Sequence, residues 1–431
     1  MEKPFPSTEP KKPAALAKVL ETIPLSERRF HSELIVPLVR QSLKTINVGF
    51  STNSPWCYAR AVPSEEIYDS RAQLQPRRKR QRGTDYTFLQ PAPDDHILTR
   101  DEPPMILSTT SLNIFESLSD LGIVKNPSTE PAMIKTEGYY SDDTGYLSHE
   151  YMVPPESSFV LCTMPLSRAK IDRSSTSNNY PIPGLSRRQK FNLILMDPPW
   201  PNKSVRRSGH YATHHYSEMD ALTEGIRDIL RVHSHCPDTK EGLSLSDPPS
   251  ESQIQSEQSI AAIWITNAEK SRRAAYEALS GAGFCICEEW IWIKTTCDGQ
   301  PISALDGLWR KPYEILVIGR KDGHRVEGDD ESPLPQMDDL TRISEAITTR
   351  RVIAAVPDLH SRKPNLKAIF EKVFFVSSGY TQSYSALEVF ARNLTAGWWA
   401  AGNEVLRFNA RDCWIDPENE TETSHGIWNP A

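Results

Sequence analysis

Six mostly apolar residues, 191–196, run directly into Asp197-Pro198-Pro199-Trp200. A short apolar run bounded by proline predicts a buried strand. Parallel α/β sheets place their ligand sites at the carboxyl ends of strands. Asp197 and Trp200 are therefore expected where such sheets do chemistry. Other strand-length apolar runs occupy 157–164, 259–267, 285–294, 314–318, 351–356 and 386–391, with helical patterns at 268–280 and 365–373. Together they predict an α/β sheet domain.

The residue types after the 191–196 run suit one reaction. The exocyclic amine of adenine is a poor nucleophile, because its lone pair is delocalised into the ring. A carboxylate and a main-chain carbonyl accepting its two N–H groups would localise that pair towards an electrophile. Asp197 supplies one acceptor. Pro198 supplies the other, since its carbonyl survives while its N–H is gone. Two prolines, Pro198 and Pro199, fix φ and hold both acceptors still. Trp200 offers a flat face on which a base can stack, worth roughly 1–3 kcal/mol. The plainer reading is a strand, a Pro-Pro turn and an ordinary core tryptophan.

Basic and aromatic residues interleave directly after this turn: Lys203, Arg206, Arg207, His210, Tyr211, His214, His215 and Tyr216. They read as a loop gripping phosphates and covering a base, with Lys203, Arg206, Arg207 and Tyr211 as substrate contacts. A surface loop with incidental charge is the alternative. The net charge of −7 provides no general basic field, so any nucleic acid must be held by local patches. The dense run at 77–82 reads as a nuclear import signal, a phosphate patch or a solvated loop. No metal site is expected: His210, His214 and His215 lack a Cys or carboxylate at ligand spacing, and His233-x-His235-Cys236 runs into a polar insertion. Seven cysteines without a CxxC pair favour free thiols in a reducing compartment. With no signal-peptide pattern at the start and no apolar run near ~18 residues, the chain is expected to be soluble and intracellular.

In chain order, 1–26 is predicted to be a disordered tail and 27–150 an accessory region carrying the basic run. Within it, 26–46 has helical spacing with Pro37 as a kink, 46–50 suggests a strand, and 112–121 a helix followed by a short strand. Residues 151–431 form the main domain, with insertions at 237–258 and 321–347. Gly281 and Gly283 lie after a helix and before a strand. They therefore suit a helix C-cap rather than a dinucleotide loop. Cys285 and Cys287 share one strand face, for which core packing is the default. Glu388, near the end of a strand, either takes ribose hydroxyls or faces solvent.

Three segments carry a family resemblance: Asp-Pro-Pro-Trp at 197–200 with Asn-Lys-Ser-Val-Arg-Arg-Ser at 202–208, Lys363-Pro364, and 388–408. In this order and spacing they resemble the DPPW-type amino-methyltransferases, specifically the methyltransferase-like four branch. The resemblance covers roughly 157–408 without the insertions. It implies a Rossmann-like, S-adenosylmethionine-dependent domain that methylates adenine N6, with the catalytic strand preceding the cofactor strand. Carried over, Asp197 and Pro198 hold the target amine, with Pro199 and Trp200 completing the catalytic turn. Lys363 meets the cofactor carboxylate. Arg392 and Asn393 lie beside its ribose, and Asn403 and Glu404 close on ribose and adenine. Thr163 stands where the family has an acidic adenine contact, and Pro201, Arg362 and Ala401 are further departures. The branch implies a nuclear small RNA as substrate, notably a 2′-O-methylated adenosine, with DNA adenine as the alternative. A nuclear enzyme active as a monomer is the corresponding expectation. The rivals are a catalytically silent nucleic-acid scaffold and a methyltransferase for a protein amide or a free nucleotide.

Overall fold

The computed structural model describes residues 4–5, 12–49, 57, 103–118, 121–139, 146–165, 180–201, 219–235, 259–308, 311–321, 346–359, 361–377 and 379–413. Fifteen strands appear in them: β1 Met105–Ile106, β2 Asn113–Phe115, β3 Ile123–Lys125, β4 Ala132–Tyr139, β5 Tyr146–Val153, β6 Ser158–Leu161, β7 Leu193–Met196, β8 Ser259–Ile265, β9 Cys285–Lys294, β10 Tyr313–Lys321, β11 Thr349–Ala355, β12 Val376–Ser377, β13 Tyr380–Thr381, β14 Ala386–Val389 and β15 Trp399–Gly402. Ten build one sheet in the order β1-β3-β6-β15-β14-β7-β8-β10-β9-β11. Its centre, from β6 to β8, is entirely parallel, and β10 runs against both neighbours. This is an α/β fold of the Rossmann-like type.

The strand order reverses at β7. The chain leaves it through the helix Met219–His233 to β8 on one side, whereas β14 and then β15 dock on the other. Such a reversal opens a crevice at the carboxyl ends of the strands, where ligands of open α/β sheets sit. β7 is buried on all four residues because both sheet faces are covered. One face packs on the helices Met219–His233, Glu269–Gly281 and Val36–Gly49, through Leu222, Ile226, Ala275, Val39 and Leu43. The other packs on the segment 366–375, through Leu366, Phe370 and Phe375.

The helix Glu269–Gly281 ends as its glycines suggest. Gly283 has φ +83°, its N–H donates to Ser280 O at 3.0 Å, and that of Phe284 donates to Leu279 O at 2.9 Å. These are the two bonds of a Schellman cap.

The amino-terminal region departs from the sequence reading. Part of the expected tail is helical, at Pro13–Glu21 and Leu25–Arg29, where Pro13 suits a first helical turn. The helix does not break at Pro37. Proline in a helix removes a hydrogen bond and crowds the carbonyl four residues back. Here the wider π turn Phe30–Ile35 precedes it, and the helix continues to Gly49 in place of the strand expected at 46–50. At 112–121 the expected helix is instead β2, whose Asn113 side chain bonds the backbone at Ser108 and Met133. The unassigned 127–150 contributes the β4–β5 hairpin. The boundary at 150/151 passes through β5. β1 and β3 extend the main sheet, and the helix Val36–Gly49 packs on it, so 27–150 is not a separate layer. Cys285 is exposed rather than packed in the core. The basic run 77–82, all of 237–258 and most of 321–347 lie outside the described residues; Lys321 ends β10 and Ile347 is buried.

His31 and Glu289 fasten the layers together. His31, 3 % exposed, is pushed down to about pKa 3 by burial and next by Lys311, so it is neutral. Its Nε2–H therefore donates to Asn267 O at 3.2 Å, and its Nδ1 accepts from the Tyr313 hydroxyl at 3.0 Å. Glu289, fully buried, accepts from the Tyr276 hydroxyl at 2.6 Å and from Arg350 Nε at 2.7 Å. Arg350→Met is expected to strand that carboxylate and destabilise the fold by about 3–5 kcal/mol. Urea unfolding of the two proteins checks this; a loss below 1 kcal/mol would show that the pair is not structural.

Candidate active site

The site grows from the end of β7. Asp197 N–H donates to Val389 O at 3.3 Å, carrying the β7–β14 ladder one residue beyond the strand. Pro198 and Pro199 then turn the chain, closed by Trp200 N–H donating to Pro198 O at 2.8 Å. That bond uses one lone pair of the Pro198 carbonyl and leaves the second. Trp200 does not present an open face to a base. Its ring is 4 % exposed within the core, and its Nε1–H donates to Trp264 O at 2.7 Å. The expected stacking role is corrected to that of an anchor: a buried indole must satisfy its N–H, and doing so pins the turn against β8.

Seven charged side chains of alternating sign cross the carboxyl edge of the sheet. Lys294 meets Glu314 Oε1 at 2.5 Å, and Lys363 meets Glu314 Oε2 at 2.8 Å. Lys363 also lies 3.2 Å from Asp197 Oδ1. Arg392 lies 3.4 Å from Asp197 Oδ2 and 3.3 Å from Glu404 Oε2, and Arg407 closes the row at 3.0 Å from Glu404 Oε1. Asp197 thus sits between two cations, one from each side of the crevice.

The environment sets the charges. Burial works to raise the Glu314 carboxyl, but Lys363 and Lys294 overcome it and hold the group well below the usual carboxylate range. Burial likewise opposes the Lys363 charge, and Asp197 and Glu314 more than offset it, so that ammonium is held above its ordinary value. Glu388 lies on the same face as Asp197, two residues before the end of the crevice, in register with Leu195. Burial first, and the neighbouring Asp197 second, raise it to about 8.

Backbone strain concentrates here. Among the described non-glycine residues only Glu156, Ser361 and Phe390 have positive φ, and two of the three flank the site. Phe390, φ +58°, turns the chain from β14 towards Arg392; Ser361, φ +71°, precedes Lys363. Gly402 lies against the Phe390 turn, and a Cβ there would come within 3.1 Å of Ala391 O. A side chain at that position would require the Phe390 turn to give by a few tenths of an ångström.

The structure brings together Asp197, Pro198, Pro199, Lys363, Glu388, Arg392, Asn393, Asn403 and Glu404 at one edge, with Asn403 exposed. Thr163, also exposed, follows β6 on that edge. Lys203, Arg206, Arg207 and Tyr211 lie outside the described residues. Sequence reasoning passed over Lys294, Glu314 and Asn409. A lone acid in the apolar strand Glu314–Ile318 was the available signal for Glu314. Asn409, fully buried, accepts from Leu394 N–H at 2.8 Å and donates to Met152 O at 2.8 Å, which fixes the Arg392 loop. Nothing in its sequence context marks it. Among the described residues no group of three His, Cys, Asp or Glu side chains could hold a metal ion.

The MT-A70 family model matches residues 250–404, from just before β8 to Glu404. Over that stretch the chain is similar to the MT-A70 family. The match takes in Glu314, Lys363, Arg392 and Glu404, and the Asp-Pro-Pro-Trp turn lies ahead of it. Among curated relatives, the "N6-methyladenosine RNA methyltransferase MTA1" of Pyricularia oryzae is 32 % identical over 276 residues, 63 % of this chain and 58 % of that protein. The "N(6)-adenine-specific methyltransferase METTL4" of Homo sapiens is 31 % identical over 278 residues, 63 % and 47 % of the two chains. The "DNA N6-methyl methyltransferase" of Caenorhabditis elegans is 25 % identical over 298 residues, 67 % and 62 %. The chain thus spans about half the length of the curated relatives it matches.

A carboxyl raised in the fold contributes stability below its unfolded pKa, near 4.5, and loses it as pH rises through about 8. Glu388→Gln removes that loss. The variant is therefore expected to match the parent in thermal stability near pH 4.5 and to exceed it by several degrees at pH 8.5. Equal melting temperatures at both pH values would place Glu388 in water.

Proposed function

We propose that this chain transfers the methyl group of S-adenosylmethionine to N6 of an adenine in nucleic acid. The observation that carries the reading is the Asp197 carboxylate, fixed between Lys363 and Arg392 at the end of the switch-point strand. The donor set fits the cofactor: Lys363 offers a cation for its carboxylate, and Glu388, Asn403 and Glu404 offer hydrogen-bonding partners for ribose and adenine. When bound, S-adenosylmethionine supplies a methyl group on a positively charged sulfur.

The chain's own residues do the rest. Asp197 and the free lone pair of the Pro198 carbonyl accept the two N–H groups of the target amine and aim its lone pair. The nitrogen sheds one proton once methylated, and Asp197 accepts it. Trp200 holds the turn rigid from behind. Lys203, Arg206 and Arg207 take phosphates and Tyr211 lies over the base. The names of the relatives cover both RNA and DNA. Within the reading we favour RNA, specifically a 2′-O-methylated adenosine of a nuclear small RNA. The basic run at 77–82 supports import into the nucleus, and action as a monomer is part of the same proposal.

The test is single-turnover transfer from labelled S-adenosylmethionine to adenosine-containing RNA, DNA and protein acceptors. Asp197→Asn is expected to lower the rate roughly 10²-fold or more, the effect of removing one preorganised polar group, while RNA binding survives. Transfer at the parent rate would refute the catalytic assignment. Binding without transfer by the parent would favour a silent scaffold, and label in protein a protein-amide enzyme.

A further inference from the structure

The sheet edge opposite the catalytic crevice carries a second concentration of charge. Arg187 and Arg188, both exposed, lie in the turn leading into β7, and Lys190 follows them. Arg231 stands at the end of the helix Met219–His233, and Lys321 at the end of β10, which runs antiparallel and so finishes on this edge. Contacts tie them together. Lys190 Nζ donates to Val232 O, Arg231 Nε donates to Gly281 O at 2.9 Å, and Lys321 Nζ bonds Ser234 Oγ at 3.3 Å. The positive field reaches the interior: burial first, with Lys190 and Arg187 adding to it, pushes buried His233 down to about 4.

Helix ends account for part of this. Lys190 and Arg231 meet the last carbonyls of two helices, a common structural use of cations. Arg187, Arg188 and Lys321 have no such use. Among the described residues no carboxylate is ion-paired with Arg187, Arg188, Arg231 or Lys321.

An exposed aromatic stands on the same edge. Tyr380, on the β12–β13 hairpin, is 80 % exposed, more than any other aromatic among the described large hydrophobic residues, and Val376 beside it is 45 % exposed. The hairpin is braced from below by Phe375 stacked on Tyr384 at 4.1 Å. Its exit strand is tied to the cationic segment, because Ser385 N–H donates to Asn192 Oδ1 at 3.0 Å and Ser385 Oγ donates to Lys190 O at 3.3 Å. Cations with no ion-paired carboxylate among the described residues, with an aromatic face beside them, fit a single nucleic-acid strand, by phosphate contact and base stacking.

We propose that this edge is a second nucleic-acid site, in which Arg187, Arg188 and Lys321 hold phosphates and Tyr380 stacks on a base of the strand whose adenine is placed at Asp197. The inference rests on the nucleic-acid part of the proposed function and not on the N6 chemistry. The run 191–196 separates the two edges by about 20 Å at 3.3 Å per residue. At 3.4 Å per stacked nucleotide, a strand must extend at least about six nucleotides from its target to touch both.

The probes are an adenine-free 20-mer of uridylate and two adenosine RNAs of 5 and 25 nucleotides. For Arg187→Ala/Arg188→Ala, the log–log salt slope of 20-mer binding is expected to shrink by about 0.7 per lost contact. Tyr380→Ala is expected to weaken binding about tenfold with the slope unchanged. Both variants are expected to raise KM for the 25-mer and leave kcat and the 5-mer untouched. An unchanged slope and KM, or equal losses on the 5-mer, overturn the site. So does equal loss of a polyglutamate probe bound more tightly than the 20-mer, which assigns the edge to an acidic protein. If the parent methylates no RNA yet the variants lose 20-mer binding as described, the second site stands and the N6 reading falls.

Discussion

The Asp197 carboxylate, held by Lys363 on one side and Arg392 on the other, is the interaction on which the rest of this structure depends. Its three participants come from three distant places in the chain. They meet only because β14 pairs with β7, and because the segment after β11 folds back over the same sheet face. Each cation is itself held by a further carboxylate, Glu314 for Lys363 and Glu404 for Arg392. Removing water from one charged pair costs several kcal/mol, and extending it into an alternating row gives each buried charge two partners. The row is a positioning device as much as a stabilising one.

Around it the fold spends rigidity at specific points. The Pro-Pro turn is stiff by its covalent structure, and Trp200 fastens it to β8. Phe390 and Ser361 carry left-handed backbone where the chain must reverse beside the site. Strain of that kind persists only when neighbours over-determine it. Gly402 and the buried Asn409 do so for the Phe390 turn. The amino-terminal helix contributes through His31, which bonds Tyr313, the residue next to Glu314. A region without evident chemistry of its own thereby braces the wall on which the row is built.

Much of the site was legible in the letters. The 191–196 run and its Asp-Pro-Pro-Trp ending marked the buried strand β7 on which the candidate site is built, because period, length and proline are local signals. Lys363, Arg392, Asn393, Asn403 and Glu404 came from the family resemblance, and the structure gathers them at one edge. The amino-terminal half was read less well. Spacing at 112–121 suggested a helix, but Asn113 bonding to Ser108 and Met133 stabilises a short strand that local propensity does not favour. Pro37 suggested a break, and a π turn absorbed it.

The sequence by itself determined the strand–helix alternation, the stiff turn and the identity of the acid at its tip, since these follow from residues adjacent in the chain. Only the tertiary structure decided that Trp200 faces inward, that Glu314 and Lys294 join the charged row, and that Asn409 fixes the Arg392 loop. The physical reason is the same in each case. Whether an indole stacks on a base or on the core, and whether a lysine finds one carboxylate or two, depends on strand order. Strand order is set by hydrophobic packing over the whole sheet and leaves no mark at a single position.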